Sequence, residues 1–169
     1  KTKIGKGMPD WTFGLSLGAD WTGFDLNLFF QGTAGNDVFD FSQRGDIQAM
    51  NRPSWMLDRW IGEGTSNKIP RMTAVNPNRN WRSSDLYIKD GSYVRLKTIQ
   101  LGYSLPSSLL EKASLQRLRL FVTAENLFTF TSYDGFDPEI AAGDYFNIGV
   151  DKGIYPQSST ISVGANLTF

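Results

Sequence analysis

From Thr160 to Phe169 the chain alternates without a break. Thr160, Ser162, Gly164, Asn166 and Thr168 are small or polar, and Ile161, Val163, Ala165, Leu167 and Phe169 are apolar. A period of two describes a strand with one oily face and one wet face. The same period recurs upstream. Trp11, Phe13, Leu15 and Leu17 oppose Thr12, Gly14, Ser16 and Gly18, which predicts a strand over 11–18. After the short connection Ala19–Gly23, Phe24, Leu26, Leu28 and Phe30 oppose Asp25, Asn27, Phe29 and Gln31. This second strand, 24–33, completes a hairpin. A third strand is expected over 92–104 and a fourth over 115–130. In the fourth, Leu118, Leu120, Val122 and Ala124 oppose Arg119, Phe121, Thr123 and Glu125. The terminal alternation makes the fifth, 157–169.

The third strand breaks its own pattern. Ile99, Leu101 and Tyr103 alternate with Gln100, Gly102 and Ser104, but Arg95 and Lys97 fall in the apolar register. Either a bulge flips the register or the strand rises beyond an apolar layer.

Two long stretches interrupt the strands, 35–91 and 131–156. The first is rich in Asn, Asp, Gly, Pro and Arg, carries Trp55, Trp60 and Trp81, and reads as irregular. Ser54–Trp60 predicts a short helix capped by Ser54. A loop of this length argues for a functional surface rather than an ordinary compact domain. Connections therefore run short, long, short, long, as in transmembrane β-barrels with short periplasmic turns and long extracellular loops. With the chain end on the periplasmic side, both long loops fall outside the cell. The pattern predicts an all-β fold, an antiparallel transmembrane β-barrel segment. Five strands are too few to close a barrel, so the segment is expected to be a carboxy-terminal piece of a larger one.

Composition narrows the chemistry. The 169 residues include no Cys and no His, and 17 basic residues balance 17 acidic ones. Disulfides, thiolate metal sites, histidine-ligated zinc and His-based catalytic triads are excluded, and neutrality gives no electrostatic case for nucleic acid. No apolar run is long enough for a transmembrane helix, a signal that barrel strands do not give. No signal peptide is recognised at the start.

Three segments resemble the SusC/RagA-type TonB-dependent outer-membrane transporters of Bacteroidota: Asp90–Pro106 (DGSYVRLKTIQLGYSLP), Leu118–Glu139 (LRLFVTAENLFTFTSYDGFDPE), and Tyr155–Ser158 with the ending Asn166–Phe169. The hairpin around Gly23–Leu26 and Phe29–Gly32 also fits. Ser159 departs from the pattern, since members often carry a basic residue there. The resemblance implies about five carboxy-terminal strands of a roughly 22-stranded barrel, with a lumenal plug and a TonB-binding segment upstream. It implies active import of glycans or oligopeptides through the outer membrane, together with a SusD-like surface lipoprotein. It implies no cofactor and no catalysis.

On that reading Asp25, Asn27, Arg119 and Glu125 face the lumen, where they touch passing substrate or, the favoured alternative, hold the plug, and Phe169 is the signal for membrane assembly. Trp55, Trp60 and Trp81 contact cargo or the lipoprotein, or pin the loop to itself, which is the simpler reading. Asp134, Asp137 and Glu139 suggest a calcium site, but their spacing with Gly135 and Pro138 fits a turn better. The rival class is a soluble β-rich carbohydrate-binding or adhesin module.

Overall fold

The structure, a computed structural model, describes residues 2–42, 51–73, 82–111, 115–140 and 145–169. Among the described residues eight strands form two sheets. The larger is wholly antiparallel, in the order β1 (Trp11–Trp21), β2 (Phe24–Ala34), β5 (Tyr93–Ser104), β6 (Arg117–Thr131) and β8 (Thr160–Thr168). The smaller places β4 (Ile88–Asp90), β3 (Asp37–Asp40) and β7 (Val150–Asp151) side by side. Among the described residues no helix is long and apolar enough to cross a membrane. A four-residue helix, Ser107–Leu110, follows β5.

The first hairpin is tighter than its sequence suggests. β1 runs on to Trp21, and the turn is only Thr22 and Gly23, both at positive φ (47° and 87°). Two left-handed residues make the turn that matches the twist of paired strands. The 35–91 stretch is not wholly irregular, because β3 and β4 lie within it and pair with each other. Its helix is a one-turn 3-10 segment, Ser54–Asp58, whose N-cap is Pro53 rather than Ser54 and which has no side-chain cap.

Register turns five separate alternations into one surface. Opposed residues in an antiparallel ladder point to the same face. Leu17, Leu28, Ile99, Ala124 and Ile161 therefore form one row, and Ala19, Leu26, Leu101, Val122 and Val163 the next. On the other face, Gly18, Asn27, Gln100, Thr123 and Ser162 share a row. The apolar rows stay uncovered, with Val163 at 80% and Trp21 at 77% exposure. Among the described residues the buried apolar side chains are Val38, Tyr87 and Tyr133 beside the small sheet, Tyr93 and Leu96 in the upper half of β5, and Leu110 after it.

Two dimensions of this sheet match a bilayer. Trp11 and Trp21 lie on the apolar face at opposite ends of β1. Ten residue steps span about 33 Å along a strand and about 25 Å in height at a tilt of about 40°, the height of the apolar band between aromatic girdles. The lower edge is also staggered. Trp21 shares a row with Ala165 through Phe24, Tyr103 and Leu120, whereas the chain continues four residues further to Phe169. Taking Trp21 and Phe169 as marks of one boundary gives one residue of stagger per strand. A rise of about 3.3 Å against a spacing of about 4.8 Å is then a tilt of about 35°, within the barrel range.

Candidate functional site

The misplaced cations of β5 are resolved by a bulge. Phe29 pairs with Thr98 but Phe30 with Leu96, so Lys97 is the extra residue. Across the next ladder Thr98 pairs with Glu125 and Leu96 with Phe128. Asn126 absorbs the shift there at φ 52°, a left-handed conformation that Asn tolerates. Beyond the bulge Leu96 and Val94 take over the apolar rows beside Phe30, Phe128 and Phe130. Arg95 turns onto the polar face between Gln31 and Thr129.

There Arg95 is the centre of an ionic cluster. Its side chain is only 3% exposed and donates to Thr129 Oγ1 (2.8 Å), Asp137 Oδ1 (2.5 Å) and Glu139 Oε2 (2.8 Å). Lys97 Nζ donates to both Glu139 oxygens, at 3.0 and 2.7 Å. Asp137 also accepts from the Glu139 and Gln157 amides. Burial pushes the Asp137 carboxyl up, but those amides and the Arg95 guanidinium outweigh it and hold the group below its ordinary value. Nearby, Tyr133 donates to Asp151 Oδ2 at 2.5 Å, and burial together with that carboxylate raises the phenol above its ordinary range. Asp134 takes Lys89 at 3.1 Å. The three candidate calcium carboxylates are thus each paired with a cation, and no group of three or more acidic ligands that could hold a metal occurs among the described residues.

A second cluster lies lower on the polar face. Arg119 on β6 reaches across β5 to Asp25 on β2, with Nε 2.8 Å from Oδ2 and Nη2 2.5 Å from Oδ1. Nη2 also donates to Gln100 Oε1 (3.0 Å), and Gln100 Nε2 to Thr123 Oγ1 (2.9 Å). The bridge passes over Gly102, where a Cβ would overlap both the carboxylate and the guanidinium. Arg119 also stacks on Phe121 at 5.0 Å. These groups border an open concavity of about 640 Å³ that includes Asp20, Asn27, Arg117 and Asn166.

The structure thus joins Asp25 directly to Arg119 and puts Asn27 one row away. Glu125 lies higher, beside Thr98 and Thr160. Trp55 lies under Lys89, whose Nζ is 5.4 Å from the ring centre, and Trp60 donates its backbone N–H to Ile69. Trp81 lies outside the described residues. Gln100, Gly102 and the Arg95 cluster escaped the sequence reading. A glycine in a regular strand and two cations out of register were the available signals.

No family model matches the chain. It is 38% identical over 174 residues to the TonB-dependent receptor P3 of Formosa agariphila, covering 98% of this chain and 17% of that protein. It is 30% identical over 181 residues to the TonB-dependent receptor P26 of the same organism, covering 98% of this chain and 18% of that protein. Over 88 residues, 51% of this chain and 8% of the relative, it is 32% identical to the TonB-dependent receptor SusC of Bacteroides thetaiotaomicron. Among solved structures, the RagAB peptide importer in its closed-closed state matches with a TM-score of 0.77 at 29% identity, over 96% of this chain and 18% of that one. The open-open state matches with a TM-score of 0.72 at 27% identity, over 96% and 17%.

Proposed function

Because this chain belongs with the SusC/RagA-type TonB-dependent receptors, we propose that it builds part of the wall and outer rim of an outer-membrane importer. The observation that supports this best is the five-strand apolar face, uncovered and of bilayer height between its tryptophans. A soluble carbohydrate-binding or adhesin sheet would bury such a face under a second layer.

In this reading the polar face lines the lumen. Asp25, Asn27, Arg119 and Glu125 present hydrogen-bonding groups to a plug supplied by another part of the receptor, which in turn engages TonB. The Asp25–Arg119 pair is already neutral and satisfied, so it offers a fixed dipolar surface rather than a free charge. The stretches 35–91 and 131–156 lie outside the cell, where a SusD-like lipoprotein meets them. Trp60 and Trp81 are candidates for that contact. Trp55, held under Lys89, ties the loop down. Phe169 serves membrane assembly, and no residue of this chain acts as a catalyst.

The cargo class is an oligopeptide or a glycan, the two that the family resemblance implies; the solved RagAB structures are of a peptide importer. The test is uptake by cells lacking the complete receptor, measured with labelled oligopeptide and glycan mixtures in the presence and absence of TonB. TonB-dependent loss of one class supports the reading. Unchanged uptake of both overturns it.

A further inference from the structure

The alternation that identifies β8 as a strand does not fix where it pairs. A slip of one residue would flip every side chain and is forbidden by the two-faced pattern. A slip of two residues keeps each apolar residue on the apolar face and each polar one on the polar face. The apolar pairs Ala124–Ile161, Val122–Val163 and Leu120–Ala165 are too alike to choose between such registers.

One pair is different. Gly164 lies opposite Phe121 and is the one residue of β8 that is not exposed. A Cβ at Gly164 would overlap three carbons of the Phe121 ring, so the ring occupies the space a side chain would fill. The Arg119 guanidinium also packs on the ring, 5.0 Å from its centre, and Asp25 and Gln100 fix the guanidinium in turn. Gly102, on the strand beyond, gives Arg119 the room to lie flat. A two-residue slip brings the side chain of Ser162 or Asn166 against the Phe121 ring, in the space that Gly164 leaves open.

A second stop stands at the rim. The β6–β8 ladder ends at Glu125–Thr160. The next residue, Asn126, leaves the ladder in its left-handed conformation, donates Nδ2–H to the Ser158 carbonyl (3.2 Å), and accepts from Ser159 Oγ (2.9 Å).

We propose that Phe121 and Gly164 act as a knob and notch that select the register of β8, with Asn126 as the stop above them. Gly102, Arg119 and Asp25 are positioning residues for the knob. The Asp25–Arg119 pair then has a part in assembly, whatever it meets in the lumen. A misregistered β8 would displace its outer edge by about 7 Å along the strand.

These 169 residues contain no cysteine, so once any cysteine elsewhere in the complete protein is replaced by serine, introduced pairs report register without background. In the complete outer-membrane protein, Val122→Cys with Val163→Cys reads the native register. Val122→Cys with Ile161→Cys or with Ala165→Cys reads the two slipped ones. Added Gly164→Val is expected to lower the native cross-link, or the amount of folded barrel, at least tenfold. Adding Phe121→Ala to that variant, which removes the knob, is expected to restore both. Native cross-linking and folded yield that are unchanged by Gly164→Val overturn the proposal. So does a loss that Phe121→Ala fails to rescue, since the glycine would then be needed for another reason.

Discussion

Val163 is a position at which an apolar-face substitution should cost visibly. It lies between Val122 and open surroundings, at 80% exposure, so replacing it with Arg removes little packing and crowds nothing. What changes is the medium the side chain meets. The apolar register of β8 runs from Ile161 to Phe169, about 26 Å along the strand and about 20 Å in height at a tilt of about 40°. Val163 is two residues from the middle of that stretch at Ala165, an offset of about 5 Å in height. Near the midplane an Arg on the lipid face costs about 2–4 kcal/mol, a shift of roughly 30- to 900-fold in the folding equilibrium. The control is Ser162→Arg, one residue away on the opposite face, where a lumen admits the charge. Reversible folding of the complete barrel into lipid vesicles across a denaturant series measures both variants. Equal losses for Val163→Arg and Ser162→Arg would refute the two-faced reading, as would no loss for either.

Arg95→Met should loosen the 131–156 loop by about 3–5 kcal/mol, because it strands buried Asp137 beside Glu139 without their shared cation; cleavage of that loop by added protease checks it. The Asp137 carboxyl is held below its ordinary 3.8 in the folded state. Its contribution is therefore fully present above about pH 4 and fades as pH falls through the lowered value. Protease protection of the loop should fall in that acid window, and Asp137→Asn should remove the acid step. Deleting Phe169 should lower the amount of folded barrel while leaving uptake per folded receptor unchanged; normal surface levels with collapsed uptake would contradict the assembly role. Protease added to intact cells should cut within 35–91 when the lipoprotein is absent and less when it is bound. Cleavage only after the membrane is breached would invert the topology.

The strand faces were legible because alternation is local, and each of the five long strands declares its own two faces. Arg95 and Lys97 showed that something gives way in β5, but not what. The answer depends on Asn126, a residue on another strand whose left-handed backbone no pattern of polarity announces. The same limit hid the Asp25–Arg119 bridge. It joins residues 94 apart in sequence across an intervening strand, and only the glycine at 102 hinted that something crosses there. The stretches taken as irregular concealed β3, β4 and β7 because strands of two to four residues are too short to show a period. Their pairing rests on the ordering of the long loops by Asp151, Tyr133 and the ionic cluster. Those are contacts between distant segments, not propensities.

The central claim is that this sheet is a membrane wall with lipid on one face and a polar lumen on the other. Spin labels placed singly from position 160 to 168 in the complete receptor, in lipid bilayers, test it most directly. Collision rates with oxygen, which partitions into lipid, should be high at 161, 163, 165 and 167. Rates with a water-soluble nickel chelate should be low at those same positions, and the pattern should reverse at 160, 162, 166 and 168 wherever the lumen is wet. A profile without a period of two, or one in which the odd positions report water, would contradict the account.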